Sequence, residues 1–146
     1  MKLSSKIDSV ARQRVTELLG NPFAGSGGFE PYPLSAKYRS NCHGTMAYVF
    51  NLKRGLSHPI AIPADQMDDL ILENFVISQP AIGSLAAFYL GSDFLVHTAM
   101  IVGNSEKVFH QKIFGGCFEL GFIEEHKCQA QIILGESLGV KYFKRK

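Results

Sequence analysis

The sequence lacks most of the features that tie a chain to a specialised setting. Its three cysteines, Cys42, Cys117 and Cys128, are too few and of the wrong parity for a disulfide framework, which points to a reducing compartment. No apolar run approaches the roughly 18 residues needed to span a bilayer. The opening MKLSSKIDSVARQRV has no continuous apolar stretch, so no secretory signal is read there and a cytoplasmic location is expected. Fifteen Lys+Arg against thirteen Asp+Glu leave a formal charge of +2, too balanced for a protein whose main partner is nucleic acid. Gly25, Gly27 and Gly28 are not followed by Gly-Lys-Ser/Thr and do not fit the dinucleotide fingerprint, so no phosphate cradle is expected. Neither Cys-x-x-Cys nor His-Glu-x-x-His occurs. Metal ligation by Cys42, His43, His97 and His110 is therefore set aside, and no cofactor is called for. There is no internal repeat and no low-complexity linker.

What is present is apolar mass. Hydrophobic residues make up 46% of 146, enough for one core and one domain over residues 1–146. Asp8 to Leu19 reads as a helix with Val10, Val15, Leu18 and Leu19 as its stripe, stopped by Gly20 and Pro22. A Gly/Pro-rich loop follows to Pro33. A second helix is expected over Asn41 to Leu52, capped by Ser40 or Asn41 and ended by Gly55. A short third one is expected over Pro63 to Asn74. After Pro80 the texture changes to short Val/Ile/Phe/Tyr runs at 85–90, 96–102, 107–113, 118–123, 129–134 and 140–143, separated by Gly/Asn/Ser turns. Helices first and strands afterwards predict an α+β fold, with N-terminal helices packed on an antiparallel sheet of about five to six strands.

The pattern with chemical content is a cysteine on the helical half and two histidines on the strand half. Cys42 stands at a helix start, where free N–H groups favour a thiolate and can lower a thiol pKa from about 8.5 into the range of about 3.5–7.5. The same groups can hold an oxyanion, and Gly44 leaves room beside them. His97 and His110 lie in adjacent strands joined by a turn at Gly103-Asn104 or Asn104-Ser105. Either register puts them on one face, because strand side chains alternate with period two. The expectation is a nucleophile, a base and an orienting ring. A buried cysteine is more often a small core residue and a strand histidine usually structural. Two histidines on one face downstream of a helix-start cysteine tip the reading towards chemistry. His43, adjacent to Cys42 on the helix, reads as a pocket-rim residue. His58 and His126 read as surface loop residues, and Cys117 and Cys128 as strand-region structural cysteines. Lys141, Lys144, Arg145 and Lys146 read as a solvated basic end.

These residues carry a family resemblance. Asn41-Cys42-His43-Gly44 resembles the Asp-Cys-Ser-Gly helix start of NlpC-type papain-like cysteine peptidases. Pro80 to Phe88 is similar to that family's Pro-x-x-Gly-Asp-Leu-x-x-Phe strand. His97 to Gly103 resembles its His-Val-Gly-Ile-Tyr-x-Gly strand, and Lys107 to His110 the strand ending in the third polar residue. The sequence departs from the pattern at Asn41, His43 and Ser84. The cysteine precedes the histidine, as in the unpermuted members. The resemblance implies a papain-like fold and hydrolysis of amide bonds by Cys42, His97 and His110. It also implies an oxyanion site near the Cys42 N–H, with an upstream tyrosine, Tyr32 favoured over Tyr38, and with Asn41 and His43 at the pocket. It implies bacterial cell-wall peptides such as γ-D-glutamyl-diaminopimelate as substrates; with no signal read, either the substrate is intracellular or the protein leaves by a route that uses no such signal. An inactive papain-like binding module, and an acyltransferase or deamidase using the same residues, are the competing expectations.

Overall fold

The structure is a computed structural model that describes residues 2–20, 39–112 and 115–146. Its elements are, in chain order, α1 (Ser9–Gly20), α2 (Cys42–Val49), α3 (Ala64–Asn74), β1 (Phe75–Ser78), β2 (Leu85–Leu90), β3 (Phe94–Gly103), β4 (Lys107–Gln111), β5 (Phe118–Phe122), α4 (Ile123–Leu134) and β6 (Leu138–Arg145). The six strands form one antiparallel sheet in the order β1-β6-β2-β3-β4-β5. The fold is α+β, as the order of helical and strand patterns predicts.

Local chemistry sets the helix ends. Asp8 caps α1, its Oδ2 accepting from Val10 N at 3.1 Å and Ala11 N at 3.3 Å. Ala11, Val15 and Leu18 give α1 its buried stripe. α2 is buried on every side, so it is a core helix. It stops well short of Leu52. Asn51 adopts a left-handed φ of 56°, Leu52 N donates to Ala47 O at 2.8 Å, and Asn51 N donates to Tyr48 O at 3.1 Å. Those two bonds close a Schellman motif, so Asn51, and not Gly55, ends the helix.

The sheet has two differently covered faces. Leu85, Ala87, Leu95, Met100, Val102 and Phe109 pack with α1, α2 and α3 in the main core. Ala86, Phe88, Ala99, Ile101 and Val108 pack on the other face with Ile123 of α4 and Leu138. Two expectations fail here. β1 was not foreseen, and 129–134 is helix, not strand. Gln129-Ala130-Gln131 are good helix formers, Glu124 and Glu125 favour the first turn, and Gly135 in the left-handed region caps the end. A short apolar run alone does not distinguish helix from buried strand. No helix among the described residues is long and apolar enough to cross a membrane.

Candidate active site and a histidine cluster

α2 starts at Cys42 because Asn41 caps it. Asn41 Oδ1 accepts from Gly44 N at 2.9 Å and Ile62 N at 3.0 Å, and its Nδ2 donates to Ile62 O at 2.7 Å. Both ends of the amide thus serve the helix start and the neighbouring chain. Gly44 is part of the same packing, since a Cβ there would run into the carbonyl of Ile60. Its small size serves that backbone approach, where sequence reading assigned it to substrate room.

The Cys42 thiol faces β3. Its Sγ lies 3.6 Å from His43 Nδ1, which lies 2.9 Å from Thr98 Oγ1, and all three side chains are buried. Burial pushes the thiol up to about 11, although hydrogen bonds from Thr98 and the His43 backbone oppose the shift. This reverses the lowered thiol expected at a helix start: the α2 terminus is desolvated, and loss of water outweighs the partial charge of the N–H groups. Burial likewise lowers His43 to about 4. Beside this group Gln111 of β4 accepts at Oε1 from the Ser40 and Thr45 hydroxyls, each at 2.8 Å, and donates from Nε2 to Gly116 O at 2.8 Å.

The expected approach of Cys42 to His97 is not formed. Thr98 pairs with Ala87, whose side chain belongs to the α2 face, whereas His97 pairs with Phe88, which belongs to the α4 face. The cause is a bulge. Leu95 pairs with Tyr89 and His97 with Phe88, leaving Val96 as an extra residue in β3. Strict alternation from Leu95, a main-core residue, would have turned His97 towards α2; the bulge turns Thr98 there instead.

His97 and His110 do meet, with His97 Nε2 2.9 Å from His110 Nδ1. At Met100 and Ile101 their strands follow the register of an Asn104-Ser105 turn, one of the two arrangements expected, but a shift beyond Ile101 pairs Gly103 with Lys107, so the turn itself takes in Asn104, Ser105 and Glu106. A third ring joins them. His126 of α4 stacks on His97 with centroids 4.1 Å apart and meets His110 edge-on at 5.5 Å. It is half-buried against the sheet, not a surface loop residue. Burial first, and the neighbouring rings second, hold His97 well below the ordinary imidazole value. Burial brings His110 to about 3 and His126 to about 4.

Sequence reading therefore singled out Cys42, His43, His97 and His110 and expected His97 beside His110, as found, but it set Cys42 beside His97, where the structure sets it beside His43. It missed Thr98 and Gln111, whose only signal is the residue immediately after each strand histidine. It missed His126 because its segment was not read as helix. Tyr32 and Tyr38 lie outside the described residues. No family model matches the chain, and neither curated proteins nor solved structures provide a match.

Proposed function

We propose that the protein is a cysteine-dependent enzyme of acyl transfer that hydrolyses amide bonds, with Cys42 as nucleophile and His43, in place of His97, as its base. The observation that carries the reading is the buried chain from Cys42 Sγ through His43 Nδ1 to Thr98 Oγ1. At neutral pH the thiol is protonated and the His43 ring is neutral, so the pair rests uncharged. As Sγ attacks the carbonyl carbon, its proton passes to His43 Nδ1, and the Thr98 hydroxyl, which shares that nitrogen at rest, rotates to accept from the new Nδ1–H, so no free buried thiolate forms. First-turn N–H groups of α2 not used by the Asn41 cap face the developing oxyanion. His43 returns the proton to the leaving amine, and water then hydrolyses the thioester. Thr98 positions the ring. The family resemblance supports cell-wall peptides containing γ-D-glutamyl-diaminopimelate as the first substrates to try. A transferase or deamidase would share the thioester and differ only in acceptor.

A second reading, a papain-like binding module without activity, draws support from the burial of Cys42 and its raised thiol. The two separate by incubation with such peptides and with an activated ester, followed by intact-mass analysis. The enzyme reading expects an acyl adduct on Cys42 and turnover that Cys42→Ala abolishes. It expects His43→Gln to lower the rate by about 10²–10⁴-fold, the usual contribution of a positioned base. Turnover undiminished in Cys42→Ala, or no adduct and no turnover in the parent, overturns it.

A further inference from the structure

α4 is held to the sheet by little apolar surface. Of its twelve residues only Ile123 is buried, and Ile132 and Ile133 are 84% and 80% exposed. Yet it delivers His126 to the one place on that face where two other imidazoles already meet. One ring nitrogen from each of His97, His110 and His126 lies within 4.8 Å of the other two. Two of these rings keep a buried nitrogen without a hydrogen-bond partner among the described residues: His110 Nε2, on a side chain with no exposure, and His126 Nδ1. An unpaired buried polar atom is costly, so both nitrogens call for a partner: a metal taking His126 Nδ1 would satisfy one, and the Glu119 carboxylate near His110 Nε2 the other.

We propose that His97, His110 and His126 form a binding site for a first-row divalent transition metal of the zinc type, which ties α4 to β3 and β4. Three neutral imidazoles suit such an ion, and a water can complete a four-coordinate shell. With metal–nitrogen bonds of about 2.0–2.1 Å, tetrahedral ligand nitrogens stand roughly 3.3–3.4 Å apart. His97 Nε2 and His110 Nδ1, now 2.9 Å apart, need only open slightly, while His126 turns out of its stack on His97. An outer partner stands nearby. With Nδ1 on the metal, His110 directs Nε2–H towards Glu119 Oε1, now 3.8 Å away, which has only to close to hydrogen-bond distance to give the carboxylate–histidine–metal arrangement that orients such ligands. Gly121 leaves the room, since a Cβ there would stand 3.2 Å from His110 Nε2. The ion lies on the face opposite Cys42, and the site does not depend on the chemistry proposed there.

Co²⁺ titration of the metal-free full chain tests this by visible absorption, with Zn²⁺ as competitor. One Co²⁺ per chain is expected, with tetrahedral d–d bands and no thiolate charge-transfer band, and with release by Zn²⁺. His126→Gln removes a half-exposed ligand and should leave the fold intact by circular dichroism. It should lower affinity by more than the roughly 10–100-fold that loss of an outer-shell partner costs, with Glu119→Gln inside that range. Zn²⁺ should raise the thermal midpoint of the parent and leave that of His126→Gln unchanged. Absence of d–d bands would show a hydrogen-bonded ring cluster only and overturn the site. So would a thiolate band, or binding that survives in His126→Gln.

Discussion

Among single residues, Asn41 and Cys42 show how much one position can be asked to do. Asn41 caps α2 and holds Ile62 from both sides. Asn41→Ala should cost about 1–2 kcal/mol, the upper range for a lost cap, read from urea denaturation. Asn41→Asp keeps the Oδ1 acceptor but cannot donate to Ile62 O, and should fall between. An Ala variant as stable as the parent would show the cap to be idle. Cys42 is buried and its thiol raised, whereas Cys128 is exposed. Iodoacetamide near neutral pH should therefore modify Cys128 well before Cys42, followed by peptide mass mapping. The order would invert if the helix terminus, and not desolvation, governed the thiol. Slow alkylation is compatible with the proposed acyl transfer, because His43 takes the proton only during attack.

At the level of elements, the ends and irregularities matter more than the regular stretches. Asn51 closes α2 in the left-handed region, where glycine fits freely and a β-branched residue does not. Asn51→Gly should change stability by less than about 0.5 kcal/mol, while Asn51→Val should cost about 1–2 kcal/mol by the same denaturation assay. Equal effects from the two would mean the backbone there is not left-handed. Gln111 joins α2 to β4 by accepting from both Ser40 and Thr45. Gln111→Leu strands both hydroxyls and the Gly116 carbonyl, and a loss of at least about 3 kcal/mol is expected from three groups at about 1–3 kcal/mol each. Loss of less than about 1 kcal/mol would show that water replaces these bonds. The Val96 bulge shapes the candidate site most directly, since it decides which of His97 and Thr98 faces Cys42.

For the whole molecule, buried imidazoles tie stability to pH. His43 is held at about 4 against an ordinary value near 6.5. Between those values the unfolded chain binds a proton that the folded chain refuses, so stability is complete above about pH 6.5 and falls as the pH drops towards 4. In the metal-free protein His97, His110 and His126 are shifted in the same direction and add to the fall. The urea midpoint should be lower at pH 5 than at pH 7.5, and His43→Gln should reduce that difference without removing it. A midpoint that rises on acidification would show that these rings are charged in the native state.

Composition and local pattern were enough for the fold class, for α1 to within a residue at each end, for the start of α2, and for β2 and the β3–β4 hairpin. Those features follow from capping groups, glycine punctuation and side-chain period, all of which act over a few residues. The shared face of His97 and His110 was legible for the same reason, since no irregularity separates His97 from the paired stretch that leads to His110. The division of the site was not legible. It depends on one extra residue in β3, visible only once Leu95 and His97 have cross-strand partners, and a bulge reverses the face of everything beyond it. The third ring was hidden too, because His126 reaches the sheet only when α4 folds as a helix and docks on the face that the N-terminal helices leave open. Sequence names the residues able to do chemistry; which of them stand together is decided by strand register and helix docking, which are long-range contacts that no local pattern records.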